Sequence, residues 1–109
     1  MDSQVYIVIS TAKSRVEAEK LAHLMVERRL AACAQVSGPI KSVYWWQGKV
    51  ESHPEWKCIW KTTGSRYEAL ESAIVEAHSY DVPQIVAIPI EKGSRDYLNW
   101  LEETLHVEP

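Results

Sequence analysis

The sequence predicts an α+β domain of the split βαβ, ferredoxin-like type: an antiparallel four-stranded sheet with two helices on one face, a long central hairpin and an extra C-terminal helix. Two observations carry this. Three similar segments, Ser14-Arg-Val-Glu17, Ser65-Arg-Tyr-Glu68 and Ser94-Arg-Asp-Tyr97, each open a run of apolar residues at helical spacing. A strand-like apolar run precedes each of them, so a β-then-α order recurs along the chain. At 109 residues the default is one domain spanning 1–109, with no linker or low-complexity stretch.

The elements follow in order. Val5 to Ile9 reads as the first strand. Ser14 and Glu17 match the S-x-x-E capping box, in which the Ser side chain accepts from the backbone N–H three residues on and the Glu reaches back. Ala18, Leu21, Ala22 and Met25 follow at helical spacing, predicting a helix over 14–29. Ala31 to Trp46 is strand-like, with a bend at Gly38-Pro39, and Trp56 to Trp60 is a third strand. Ser65 and Glu68 repeat the capping box ahead of Tyr67, Leu70, Ile74 and Ala77, predicting a helix over 65–78. Ile85 to Ile90 is the fourth strand. Leu98, Leu101 and Leu105 predict a helix over 94–105, with a weaker cap at Ser94.

The stretch Lys41-Ser-Val-Tyr-Trp-Trp-Gln-Gly-Lys-Val50 forms the hairpin between the two halves. Gln47-Gly48 is its two-residue loop, with Gly48 supplying φ > 0. Trp46 then faces Lys49, Trp45 faces Val50, and Tyr44 faces Glu51. Side chains alternate between faces, so Val43, Trp45 and Val50 share one side, and Tyr44, Trp46, Lys49 and Glu51 the other.

Composition excludes several classes. Hydrophobic content of 46% and charged content of 25% are ordinary for a globular domain, and the formal net charge of −3 offers no basic field for nucleic acid or an anionic membrane. No RNA-binding aromatic strand motif is present. No signal peptide and no apolar run long enough to span a bilayer are read. Cys33 and Cys58 read as free thiols of a cytoplasmic protein, with a single disulfide in a secreted domain as the weaker alternative. No Ser-His-Asp or Cys-His spacing indicates catalysis, so no enzyme activity is expected. The one glycine before Ser65 does not make a P-loop.

The first and last strands are apolar throughout, whereas a half-solvated strand alternates. Two helices cannot cover both sheet faces, and a third covers part at best. Each buried aliphatic contributes about 1.5–3 kcal/mol, so the uncovered remainder predicts association with further copies of the chain.

Five segments in order, Arg29-Leu-Ala-Ala-Cys33, Val43-Tyr-Trp-Trp-Gln-Gly-Lys49, Trp60-Lys-Thr-Thr63, His78-Ser-Tyr-Asp-Val-Pro83 and Tyr97-Leu-Asn-Trp100, resemble the CutA divalent-cation tolerance family over nearly the whole chain. The resemblance implies a ferredoxin-like fold, a homotrimer with an architecture similar to the PII signalling proteins, and a hairpin that reaches neighbouring subunits. Tyr44, Trp45 and Val50 are then interface residues. It also implies a role in the response to copper and other divalent ions, with metal not required for folding.

Cys33 matches the family's Ala-Ala-Cys cysteine, and His78 the histidine of its His-Pro-Tyr motif, although Ser79 replaces the proline. These two are the candidate metal ligands. Ser10 stands where some members carry a third cysteine, and its hydroxyl is a poor copper ligand. No CxxC, HxH or HxxxH spacing supports a metal site independently. The bland alternatives are a core cysteine at Cys33 and a histidine closing a helix C-terminus at His78. Cys58 reads as core, and His23, His53 and His106 as surface residues. A second candidate is a ligand cleft of Trp46, Lys49, Lys61, Tyr80 and Asp81 near Glu51. A PII-like signalling or scaffold trimer would bind a small anion or a partner protein there. The same charges could instead form an interfacial salt-bridge network.

Overall fold

The computed structural model describes residues 4–106. Its elements are β1 (Val5–Ala12), α1 (Arg15–Glu27), β2 (Cys33–Trp46), β3 (Lys49–Thr63), α2 (Gly64–Ala77), β4 (Val86–Pro89) and α3 (Arg95–Leu105). The strand order is β2-β3-β1-β4, and each neighbouring pair is antiparallel. This is the expected split βαβ sheet with its third helix.

Helix α1 starts as its sequence dictates. Ser14 is extended, and its Oγ accepts from the Glu17 N–H at 3.1 Å. The expected return bond from Glu17 is not made, because Glu17 bonds Ser79 instead. All four predicted inward residues, Ala18, Leu21, Ala22 and Met25, are buried. The helix ends with Arg29 in the left-handed region (φ 58°), which lets Leu30 N–H reach the Met25 carbonyl. Helix α2 corrects the second capping box. It begins at Gly64, and its N-cap is Thr63, which makes no side-chain cap bond. The Ser65 hydroxyl lies 3.2 Å from the Thr63 hydroxyl instead. Ser94 likewise precedes α3 without a side-chain cap bond.

Register and burial divide the sheet into two faces. Val8, Cys58 and Trp60 point into the main core with Leu21, Met25, Leu70 and Ile74 from α1 and α2. Val5 has the opposite parity and packs with Ala32, Leu101 and Leu105, so α3 covers one end of the other face. Arg29 and Arg66 donate to the Thr104 and Leu105 carbonyls and fix the C-terminal end of α3. Among the described residues nothing covers the rest of that face: Val86 and Ile88 of β4 are 45% and 49% exposed, beside Ile7 and Ile9 of β1. The two-sided apolar strands therefore have one covered and one largely open side, as expected from the sequence.

The third strand is far longer than its apolar run. It continues from Lys49 to Thr63, pairing with β2 in the expected register, Trp46 with Lys49 and Trp45 with Val50. Gln47 (φ 48°) and Gly48 (φ 77°) make the predicted two-residue loop. Between Ser37 and Ile40, β2 carries one extra residue relative to β3. At that bulge Gly38 has φ 151°, and a Cβ there would lie 2.6 Å from Trp56 Cδ1. A one-residue shift exchanges the faces of every side chain beyond it. The bulge thus places Ser42, Tyr44 and Trp46 on the same face as Cys33 and Gln35, opposite α1 and α2.

Candidate functional site

At the C-terminal end of α2, His78 is buried and engaged at both ring nitrogens. Its Nε2 lies 2.8 Å from the Thr11 carbonyl, and its Nδ1 accepts from the Tyr80 N–H at 3.0 Å. A carbonyl can only accept, so the bonding pattern puts the proton on Nε2. The ring pins the segment after α2 to the end of β1. Glu17 secures the same turn, accepting from the Ser79 N–H at 2.9 Å and the Ser79 Oγ at 3.0 Å. Burial alone would raise the Glu17 carboxyl, but the Ser79 bonds outweigh it and hold it below its ordinary 4.5.

Tyr80, so anchored, donates its hydroxyl to Glu55 Oε2 at 2.8 Å. Burial, and then the Glu55 carboxylate, push the Tyr80 phenol upward. Glu55 is only 8% exposed. The pair forms one wall of a cavity of about 540 Å³, which Trp46 and Tyr44 close from the hairpin and Thr11 and Asp81 from the sheet end and the loop. Trp46, Tyr80 and Asp81 of the expected cleft thus converge. Lys49 and Lys61 are not among its walls. Lys61 donates to Gln35 Oε1 at 3.1 Å and lies 5.9 Å from the Tyr97 ring centre, at the α3 end of the face. An anionic ligand in this cavity would meet carboxylates rather than those lysines. Glu55 was missed in the sequence, although extending the alternation of Lys49 and Glu51 through His53 places it on the same face.

The two candidate metal ligands do not meet within one chain. Cys33 pairs with Lys61, and Thr11, the partner of His78, with Lys57. Those rows are about 13 Å apart at roughly 3.3 Å per residue. Cys33 Sγ lies 3.4 Å from the Tyr97 hydroxyl. Burial and the Cys33 contact push that phenol up to about 12. Ser10 is fully buried on the helix-facing side, opposite Cys58 across the strands, so it faces away from Cys33. Among the described residues, no three His, Cys, Asp or Glu side chains gather as a metal would need. Tyr44, Trp45 and Val50, the expected interface residues, are 40%, 74% and 59% exposed on the hairpin.

The model of one family, the CutA1 divalent ion tolerance proteins, matches residues 6–104. The chain belongs to the CutA1 family. It is 41% identical over 105 residues to the divalent-cation tolerance protein CutA of Archaeoglobus fulgidus, covering 96% of this chain and 99% of that protein. It is 40% identical over 97 residues to the CutA of Thermus thermophilus, covering 89% and 94%. A solved structure of the Archaeoglobus fulgidus protein, described as periplasmic, superposes with a TM-score of 0.90 at 39% identity, over 94% of this chain and 99% of that one. For a CutA1-family chain, the sequence resemblance and the fold therefore agree over the matched residues 6–104. No helix among the described residues is long and apolar enough to cross a membrane.

Proposed function

We propose that this chain is a homotrimer that serves the cell's tolerance of divalent cations by binding rather than by catalysis, and that it takes up copper or another divalent ion weakly. The family match over residues 6–104 carries the reading. Self-association is supported by the open sheet face around Val86 and Ile88, and by the apolar stripe of Val43, Trp45 and Val50, which projects past the helices. Weak binding follows from the separation of Cys33 and His78: each offers one donor, and a lone donor binds far less tightly than a complete tetrahedral set. His78 must also give up its bond to the Thr11 carbonyl or to the Tyr80 N–H to reach a metal. The two free thiols favour a reducing compartment, the cytoplasm, which cell fractionation checks.

Light scattering should give three times the 12.5 kDa chain mass, and Trp45→Ala should dissociate or destabilise the assembly while Trp46→Ala leaves it associated. Calorimetric titration with copper or zinc should show heat that falls in Cys33→Ala and in His78→Ala. Unchanged binding in the double variant would reject these ligands, and a monomer at micromolar concentration would reject the assembly.

A further inference from the structure

The cavity between the hairpin and the loop after α2 has a chemistry that metal tolerance does not use. Its walls combine three aromatic rings, Tyr44, Trp46 and Tyr80, with two carboxylates, Glu55 and Asp81, and among the described residues no Lys, Arg or His lines it. Glu55 is nine-tenths buried, yet its Oε2 accepts only the Tyr80 hydroxyl. Its Oε1 meets no donor among the described residues. A carboxylate taken out of water is costly unless a cation or several donors compensate it. Among the described residues of one chain the compensating charge is missing from the walls, so it falls to whatever enters.

We infer that this cavity is a binding site for a small organic ammonium ion. The rings present π-faces, which attract a cation within about 6 Å of their centres, most strongly at tryptophan. The buried carboxylate supplies the counter-charge in a partly desolvated setting. A volume of about 540 Å³ lies within the range of small-ligand cavities and exceeds what a bare metal ion needs. A hard divalent ion would require several oxygen ligands converging at about 2.0–2.6 Å. Here Glu55 is already shared with Tyr80, and Asp81 is exposed on the loop.

The fold prepares the site from a distance. The two-residue loop pairs Trp46 with Lys49 and Tyr44 with Glu51, and alternation along β3 puts Glu55 on that same face. His78 and Glu17 together hold the turn that delivers the Tyr80 hydroxyl.

Calorimetric titration of the assembled full chain with benzyltrimethylammonium chloride tests the assignment, with sodium benzoate as an anion of related shape and copper(II) as the metal arm. The ammonium ion should bind at millimolar concentrations and benzoate should not. Glu55→Gln and Trp46→Leu should each weaken the ammonium ion by about tenfold or more. Trp46→Leu lies at the exposed hairpin tip, so it tests the site even where Glu55→Gln disturbs folding. In a Trp45→Phe background, the ammonium ion should change the fluorescence in a manner abolished by Trp46→Leu. Benzoate binding as well as the ammonium ion, ammonium binding that Trp46→Leu leaves unchanged, or no ammonium binding at millimolar concentrations would each overturn the proposal. Copper that displaces the ammonium ion and is itself lost in Glu55→Gln would make the cavity a metal site and overturn it too. None of these outcomes depends on Cys33 or on metal tolerance.

Discussion

Replacing Glu17 by Gln keeps the shape of the side chain and removes only its charge, which isolates what the carboxylate does for the turn after α2. Glu17 is 15% exposed at its side chain and accepts two hydrogen bonds from Ser79, 62 residues away in sequence. Hydrogen bonds to a charged group contribute roughly 1.5–3 kcal/mol when buried, against about 1 kcal/mol for a neutral pair. Ser79 is itself exposed, so water replaces part of what is lost. The expected cost of Glu17→Gln at pH 7 is therefore about 1 kcal/mol, read as a lowered urea midpoint at fixed protein concentration. The pH dependence gives a sharper check. The folded carboxyl titrates below its ordinary 4.5, so its contribution is fully present above that value and is lost as pH falls through the lower, folded value. The gap between the parent chain and Glu17→Gln should thus be constant near neutrality and close as the solution is acidified below pH 4.5. A gap that persists undiminished in acid would show that shape, not charge, is what Glu17 supplies, and would refute the account of the turn.

Three further outcomes follow from single contacts. Gly38→Ala should cost about 1–3 kcal/mol in denaturant unfolding, because a Cβ at φ 151° would press on Trp56 Cδ1 at 2.6 Å. Thr62→Val keeps the volume of a fully buried side chain but removes the hydroxyl that donates to the Leu30 carbonyl at 2.7 Å, so it should cost about 1–3 kcal/mol by the same measurement. Cys58 donates its S–H to the Ala18 carbonyl, and burial, followed by the charge of Glu17, pushes its thiol up to about 12. A thiol reagent at about pH 8 should leave Cys58 unmodified until the chain unfolds, as mapped by mass spectrometry.

What could be read from the sequence was what is local. Ser14 caps α1 because the residues that satisfy it lie within one turn, and the hairpin register was legible because a two-residue loop leaves only one. Glu17 was misread for the opposite reason: its partner Ser79 lies in another segment, and a cap motif says nothing of a competing donor. The sequence showed the start of the return arm at Lys49 to Glu51 and a strand from Trp56, but not the stretch between them, where Pro54 sits and β3 runs through unbroken. Proline lacks the N–H that a ladder bond needs, so it is confined to places where a strand has an unpaired side. Strand β1 ends opposite Trp56, so at Pro54 the strand has β2 alone beside it, and the proline is tolerated. The candidate cavity combines both cases. Trp46 and Glu55 share a face for local reasons: the two-residue loop pairs Trp46 with Lys49, and alternation along β3 carries that face through Glu51 and His53 to Glu55. Tyr80 and Asp81 reach the same cavity because His78 bonds the Thr11 carbonyl and Glu17 bonds Ser79, contacts 67 and 62 residues apart in sequence. The hairpin wall of the cavity is therefore written in a short stretch of chain, whereas the wall that meets it depends on long-range contacts that no local pattern encodes.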